Sequence, residues 1–237
     1  MILKKKLPAP WNRTMWVSTR SYRRYFYRSL GYVHADLLEA VKRWVKPGSV
    51  VWDIGANMGV FSFGAAQFAG PTGSVFAFEA DVECAALMTC SLEIRGNEEA
   101  PIVVCPFVIA AESGIVPFEI SSYRTAASAI QGFGRFESRG TVRRIPAFSL
   151  DELALRFAPP NVIKIDVEGA ENLVFQGARQ TMERFRPTVL VECSGGSVGE
   201  ETGELFRTMN YEWKPWLCDG AFGQDAPLVD NIVALSR

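Results

Sequence analysis

The sequence lacks several features that would assign it at once to a large functional class. It has no apolar run long enough to cross a bilayer, and no apolar stretch of signal-peptide length follows the amino-terminal lysines. Its net charge is -1 and its isoelectric point is near 6.0, so the chain as a whole does not attract nucleic acid or anionic membranes. These absences predict a cytoplasmic protein with no integral membrane segment and no nucleic-acid partner.

Cysteine and histidine are also scarce. The five cysteines include no CxxC pair, and Cys105 and Cys193 lie in apolar runs, which predicts buried thiols in a reducing compartment. His34 is the single histidine. We interpret it either as an ordinary residue at a helix start or as a lid contact at the mouth of a site. A carboxylate is therefore the better candidate for any side-chain general base.

What the sequence does contain is an alternation of short apolar runs and helical patterns. A chain of 237 residues with 48% hydrophobic content can bury one large core, so we expect one main domain. The fold class is α/β, a Rossmann-like, doubly wound, seven-stranded and mostly parallel sheet with an antiparallel edge hairpin. The predicted strands are 49–54, 74–78, 102–109, 161–167, 187–193, 211–217 and 231–235, and one long helix is predicted over 170–185.

Two segments stand apart from this alternation. Residues 1–31 form a basic and aromatic segment, interpreted either as a solvated, partly ordered extension or as a surface that attracts an acidic or phosphorylated partner. Residues 32–237 form the main domain. Within it, the pieces between about 114 and 146 predict inserted antiparallel strands or loops, which often carry specificity.

A glycine turn follows the first strand of the main domain, in the run 53–59 (Asp-Ile-Gly-Ala-Asn-Met-Gly). Gly55 permits a tight turn and a close ligand, Asn57 tolerates a positive φ, and Gly59 lets the next helix pack closely. Asp53 is expected to face the crevice at the strand's carboxyl end. Glu79 ends the next strand, twenty positions after Gly59, where an acid can accept hydrogen bonds from both ribose hydroxyls.

The turn and its acids favour an adenosyl ligand that carries positive charge. A dinucleotide-binding turn normally has GxGxxG spacing, whereas this one is GxNxG, and the GxxxxGK[ST] phosphate loop is absent. S-adenosylmethionine has no phosphate and carries an ammonium and a sulfonium, so carboxylates near the turn attract it. The sequence therefore predicts S-adenosylmethionine as the cofactor.

The same residues resemble the FkbM-type methyltransferases. The resemblance is carried by the run 53–59, by Phe78-Glu79-Ala80, by the run 163–171 (Ile-Lys-Ile-Asp-Val-Glu-Gly-Ala-Glu), and by the segments 149–151 and 187–192. It implies a class I fold and O-methylation of sugars, polyketides or related acceptors. By this resemblance and the reasoning above, the donor-site residues are Asp53, Gly55, Ala56, Asn57, Gly59, Glu79, Ala80 and Val108.

Acidic residues at the ends of the fourth and fifth strands are the candidates for chemistry. Methyl transfer from a sulfonium mainly needs alignment and removal of the acceptor proton. Asp166, Glu168 and Glu192 are therefore assigned as catalytic, with helix capping as the alternative for Asp166 and first-turn helix stabilisation for Glu168. The three could also gather magnesium, but we assign no metal.

Two other functions remain open at this point. The first is an NAD(P)-dependent oxidoreductase, although no tyrosine has a lysine four positions later; the second is a catalytically inactive nucleoside-binding domain. The expected partner is a small-molecule or glycan acceptor, and a homo-oligomer is left open. The acceptor wall is expected in the insertion. Its candidate residues are Tyr123, Arg124, Ser128, Phe133, Arg135 and Phe136.

Overall fold

The computed structural model describes residues 1–20, 23–94, 98–121, 128–133, 140–192, 197–215 and 231–236. The chain starts with an antiparallel hairpin, in which Ile2 pairs with Ser18. Within the described ranges, no helix combines the length and the apolar composition that a bilayer crossing requires. The first elements are β1 (Ile2–Lys6), β2 (Thr14–Ser18), a 3₁₀ turn (Arg23–Phe26), α1 (Leu30–Val33) and α2 (Ala35–Trp44).

The hairpin packs onto the main domain. Leu7, Trp11, Met15 and Val17 are buried, in one cluster with residues of the turn after the first central strand. The expectation of a solvated extension is therefore wrong for these residues, because one face of the hairpin is apolar and has a partner surface. Arg13 is buried with them and pairs with Glu99, whereas the exposed cations of the segment are Lys4, Lys6, Arg23, Arg24 and Arg28.

The first half of the central sheet follows the predicted strand and helix order. One expectation is wrong here. The run 102–109 is predicted as one strand, but the strand ends before Pro106, and Val103 is 43% exposed because this is the edge of the sheet. The elements are β3 (Val50–Ile54), α3 (Val60–Ala69), β4 (Ser74–Phe78), α4 (Val82–Leu92) and β5 (Ile102–Cys105).

The insertion forms a second, four-stranded sheet with the order β6-β9-β7-β8. The predicted antiparallel pairing is present between β7 and β9 and between β7 and β8. The remaining pair, β6 with β9, is parallel, so the end of the run 102–109 belongs to this sheet. Its strands are β6 (Val108–Ile109), β7 (Gly114–Ile120), β8 (Ala129–Ile130) and β9 (Thr141–Phe148).

The second half completes the central sheet. The helix predicted over 170–185 is two helices, because Gly177 ends the first one and packs against the backbone; a Cβ there would overlap the carbonyl oxygen of Ala110. The elements are α5 (Leu150–Leu153), β10 (Val162–Ile165), α6 (Glu171–Gln176), α7 (Arg179–Phe185), β11 (Thr188–Glu192), α8 (Ser197–Thr208), β12 (Tyr211–Pro215) and β13 (Asn231–Ser236).

The seven strands are ordered β12-β13-β11-β10-β3-β4-β5. The pairs from β11 to β5 are parallel, and β13 and β12 are antiparallel additions. Apolar clusters lie on both faces, one including residues of α6, α7 and α8 and the other residues of α2 and α3. The Rossmann-like, doubly wound sheet with its edge hairpin is thus confirmed. The chain reverses direction across the sheet between β3 and β10, where such sheets bind ligands.

The cysteines are only partly as expected. Cys84 and Cys105 are buried, whereas Cys90 is exposed, because it lies on the solvent side of α4. Cys193 and Cys218 lie outside the described residues. Burial raises the pKa of Cys105 to about 11, so this thiol stays protonated and unreactive at neutral pH.

Candidate functional site

A cavity of 370 Å³ lies over the carboxyl ends of β3, β4, β10 and β11. The turn after β3 and the end of β4 form one side of it, and the loop after β10 forms another. Residues of the small sheet and of the segment before α2 complete the wall. The cavity therefore lies at the point where the strand order reverses, as the sequence predicted.

The turn after β3 has the backbone geometry expected for it. Gly55, Asn57 and Gly59 have φ values of 74°, 51° and 84°. The N–H groups of Gly55 and Ala56 both donate to the carbonyl oxygen of Phe78 at 3.0 Å. This pairing fixes the turn against the end of β4. Gly55, Ala56 and Asn57 all line the cavity.

The two glycines are required for packing within the protein. A Cβ on Gly55 would overlap the carbonyl oxygen of Asp166, and a Cβ on Gly59 would lie 2.7 Å from Cγ of Met88. We had expected Gly55 to admit a ligand and Gly59 to bring α3 close to its strand. The close contacts join β3 to the loop after β10 at Gly55 and bring α4 against the turn at Gly59. Gly55 also lines the cavity, so its contact with a ligand stays a prediction.

Glu79 presents a buried carboxyl group to the cavity. Its Oε2 accepts from the N–H of Asn57 at 2.6 Å, and its Oε1 accepts from the N–H of Asp81 at 2.7 Å. Burial raises the pKa of Glu79 to about 7, although these two N–H groups oppose the shift. Each oxygen keeps a second lone pair for a ligand hydroxyl. Asp81 caps α4 through a bond from the N–H of Glu83.

Asp53 lies beneath the cavity and outside its wall. It is fully buried, its Oδ2 accepts from the hydroxyl of Ser62 at 2.5 Å, and its Oδ1 lies 3.5 Å from Nζ of Lys164. Lys164 Nζ also contacts Oδ2 of Asp166 and the carbonyl oxygen of Gly55, each at 3.1 Å. Asp53 therefore contacts Lys164, whereas the sequence predicted that it would face the crevice.

The lysine is the centre of this network. Burial lowers the pKa of Lys164, but the carboxylates of Asp166 and Asp53 outweigh that effect and raise it above its ordinary value. The ammonium is thus charged at all ordinary pH values. Register explains the contact, because Lys164 pairs directly with Asp53 across β10 and β3. The lysine links the end of β3 to the loop after β10.

The three acids assigned to catalysis line the same cavity. Asp166 is partly exposed and paired with Lys164. Glu168 adopts a positive φ of 54° in the following turn, and Glu192 ends β11. In the described ranges, no group of three His, Cys, Asp or Glu side chains is arranged to hold a metal ion, so the magnesium hypothesis gains no support. Glu171 is buried and accepts from the N–H of Gly169.

Two residues of the amino-terminal region belong to the site and were not assigned to it as a pair. The hydroxyl of Tyr25 lies 2.6 Å from Nε2 of His34, and both residues line the cavity. Burial lowers the pKa of His34 to about 4, aided by Lys164 and opposed by Asp166, so the imidazole is neutral at physiological pH. The only sequence signal was the presence of one histidine just before a helix.

The small sheet packs against the loop after β10 and supplies another part of the wall. Phe118, Ser128 and Ile130 line the cavity, and so do Ala80 and Val108. Ser128 is the one expected wall residue that the structure places there. Tyr123, Arg124, Arg135 and Phe136 lie outside the described residues, and Phe133 is partly exposed.

The doubly wound sheet, the positive-φ turn and the buried acid after the next strand define a class I, nucleoside-binding methyltransferase fold. The cavity fits an adenosyl donor with positive charge, because acids are abundant in its wall and Glu79 keeps lone pairs for hydroxyls. A family model for the methyltransferase FkbM domain matches residues 53–221. The chain belongs to this family, and its methyl donor is S-adenosylmethionine.

Named relatives agree with this assignment. The hexuronic acid methyltransferase AglP of Haloferax volcanii is 28% identical over 165 residues, which cover 68% of this chain and 62% of that protein. Among solved structures, the methyltransferase FkbM from Methylobacillus flagellatus has a TM-score of 0.54 at 16% identity, covering 84% of this chain and 50% of that one. The precorrin-6y C5,15-methyltransferase from Geobacter metallireducens has a TM-score of 0.50 at 13% identity, covering 87% and 88%. The two structures show a shared fold alone.

Proposed function

We propose that this protein transfers a methyl group from S-adenosylmethionine to a hydroxyl oxygen of a glycan or a related small-molecule acceptor. The observation that carries the proposal is the position of Asp166. Its carboxylate lies in the wall of the cavity that Glu79 also lines, and Lys164 fixes it at 3.1 Å. A hydroxyl acceptor needs such a group to take its proton.

The donor half of the site is assigned to the turn after β3 and the end of β4. Glu79 would accept hydrogen bonds from the ribose hydroxyls, since its two oxygens are already oriented by backbone N–H groups. Val108 and Ala80 would contact the adenine, and Gly55, Ala56 and Asn57 would bound the donor on the turn side. Gly59 and Asp53 act indirectly, through α4 packing and through Lys164.

In the acceptor half, Asp166 would receive the hydroxyl proton while the acceptor oxygen forms its bond to the methyl carbon. The sulfonium supplies an electrophilic methyl group and a neutral leaving group, so the carbon–sulfur bond breaks as the carbon–oxygen bond forms. The products are a methyl ether, S-adenosylhomocysteine and a protonated carboxyl group. Glu168 and Glu192 would bind neighbouring acceptor hydroxyls from the same wall.

Support for a sugar acceptor comes from the hydroxyl-binding acids of the cavity and from the name of the Haloferax relative, which methylates a hexuronic acid. That relative is distant, and this chain covers under two thirds of it, so the acceptor class is part of the proposal. The oxidoreductase alternative has no observation in its favour, because the described cavity presents carboxylates beside the turn where a pyrophosphate would lie.

The proposal is tested by separating donor binding from turnover. Calorimetry should show that S-adenosylmethionine and S-adenosylhomocysteine bind and that NAD does not. Asp166→Asn should keep the affinity for S-adenosylhomocysteine within about threefold and lose at least about a hundredfold in kcat, the usual scale for a lost general base. Mass spectrometry of a glycan panel gives the turnover.

Glu152→Gln serves as the matched control, because Glu152 is an acid of α5 outside the cavity wall. It should leave both binding and turnover unchanged. Full activity of Asp166→Asn would remove Asp166 from the reaction, and tight NAD binding would reject the proposed donor.

A further inference from the structure

The charges of this chain are distributed very unevenly. The first 35 residues contain eight lysines and arginines and no aspartate or glutamate, although the whole chain has a net charge of -1. The rest of the protein is therefore acidic. A segment with this composition makes a locally positive surface wherever the fold places it.

The fold places the end of this segment at the mouth of the cavity. Tyr32 lines the cavity and is nevertheless 62% exposed, so its ring lies where the cavity opens to solvent. The guanidinium carbon of Arg28 lies 4.5 Å from the centre of the Tyr32 ring and 6.0 Å from that of Tyr27, which is 67% exposed. We call these three residues, Tyr27, Arg28 and Tyr32, the rim.

The rim combines an exposed cation with two exposed rings. Arg28 has no acidic partner in the parts of the chain that the structure describes, and its guanidinium lies against the two tyrosine rings. Stacking on rings holds a guanidinium in a fixed plane while its N–H groups remain available. An arginine held in this way is suited to bind a planar carboxylate through two parallel hydrogen bonds.

We propose that the rim binds an acidic sugar of the acceptor glycan, with Arg28 on the sugar carboxylate and a tyrosine ring against the apolar face of the pyranose. This inference rests on the proposed function, because it places the recognised sugar next to the sugar that is methylated. The substrate class becomes a uronate-containing glycan. The acids at the base of the cavity bind hydroxyl groups of the acceptor, and Arg28 at the mouth selects a negatively charged sugar.

Continuity with the cavity favours a glycan over an anionic membrane or a nucleic acid. Tyr32 is part of the cavity wall, so a ligand on its ring is adjacent to a group bound inside. A membrane or a nucleic acid bound to the other exposed cations of the segment, Lys4, Lys6, Arg23 and Arg24, would not require contact with the cavity wall.

The experiment measures binding of two matched probes to the full chain saturated with S-adenosylhomocysteine. The acidic probe is a tetrasaccharide of alternating glucuronate and N-acetylglucosamine, and the neutral probe is the same tetrasaccharide after reduction of its carboxyl groups. We expect the acidic probe to bind at least about tenfold more tightly in 50 mM salt, with the preference shrinking in 500 mM salt. Arg28→Gln should abolish the preference and leave the neutral probe unchanged.

The matched control is Arg184→Gln. Arg184 is also exposed and stacks on an aromatic ring, that of Phe185 at 5.1 Å, but it lies on α7 away from the cavity wall. The Arg184→Gln variant should keep the preference for the acidic probe. Tyr32→Leu should weaken both probes, because the ring binds the sugar face regardless of charge.

Three results would overturn the inference: equal affinity for the two probes, an unchanged preference in Arg28→Gln, or the same loss in Arg184→Gln. The inference would also be rejected if Arg28→Gln reduced binding to phosphatidylglycerol vesicles or to single-stranded RNA while binding of the acidic tetrasaccharide stayed the same. Binding of S-adenosylhomocysteine is recorded in every variant. A failure of donor binding counts against the proposed function, whereas lost selectivity with intact donor binding counts against the rim alone.

Discussion

Removal of the Lys164 ammonium should destabilise the protein far more than a surface substitution would. Lys164→Met keeps an unbranched chain of similar length, but among the described residues it leaves the fully buried carboxyl group of Asp53 with the Ser62 hydroxyl as its remaining side-chain partner. Breaking a buried ion pair by deleting one member costs about 3–5 kcal/mol. Since whole domains are stable by about 5–15 kcal/mol, the variant should lose a large part of its stability.

The cost should depend on pH in a definite direction. Burial raises the pKa of Asp53, and Lys164 opposes that shift, so removing the ammonium lets the pKa rise further. A carboxyl group with a raised pKa stabilises the folded state while it is protonated and loses that contribution as the pH rises. The free energy of unfolding of Lys164→Met should therefore be closer to that of the wild type at pH 5 than at pH 8.

Urea denaturation followed by tryptophan fluorescence measures the effect, because Trp52 is buried in β3. Asp53→Asn in the Lys164→Met background removes the isolated charge while keeping an acceptor for Ser62, so it should recover at least about 1 kcal/mol. The slope of the free energy of unfolding against urea concentration should be the same for all variants if they unfold in the same way. A loss below about 1 kcal/mol in Lys164→Met, or additive losses in the double variant, would refute the argument.

Two further predictions concern Glu79 and Arg13, which are also buried. Because the pKa of Glu79 is raised to about 7, its contribution to stability is present below pH 4.5 and is lost as the pH rises through 7, by about 3 kcal/mol in total. Glu79→Gln should therefore flatten the dependence of the free energy of unfolding on pH, measured by urea denaturation. The same dependence on pH in the variant and the wild type would contradict the raised pKa. Arg13→Met removes an ion pair of 2.9 Å with Glu99 and a bond of 3.0 Å to the carbonyl oxygen of Ser91. It should cost about 2–4 kcal/mol, and a loss within 0.5 kcal/mol, about the scale of an ordinary surface change, would show that the hairpin is held by its apolar face alone.

The central sheet could be predicted from the sequence because its strands are continuous apolar runs, a property that depends on each run alone. The predicted ends of strands and helices were wrong where a distant part of the chain determines them. Pro106 separates two strands that belong to different sheets, and Gly177 divides a helix because another backbone approaches it. Neither event changes the local hydrophobic pattern, so periodicity could not have shown it.

Some parts of the candidate site could likewise be predicted from the sequence, and others could not. The turn and Glu79 were predictable because their spacing along the chain reflects their geometry. The contact between Asp53 and Lys164 depends on the pairing of β3 with β10, which are more than a hundred residues apart in the chain. One signal was available. The apolar runs 50–54 and 162–165 each contain a single charge, of opposite sign, and such charges are rarely buried unless they are paired.

The amino-terminal segment connects these observations. The family model begins at Asp53, yet Tyr25, Tyr32 and His34 all line the cavity, and the N–H of Ser18 contacts the sulfur of Met58 in the donor turn at 3.0 Å. The residues proposed for the donor follow strands of the central sheet, whereas this wall lies on the 3₁₀ turn, on α1 and at His34 directly after α1. A change in these elements can therefore alter the wall that we propose for the acceptor, while the turn after β3 keeps its own backbone contacts. Selectivity for the acceptor and affinity for the donor are thus expected to respond to different substitutions.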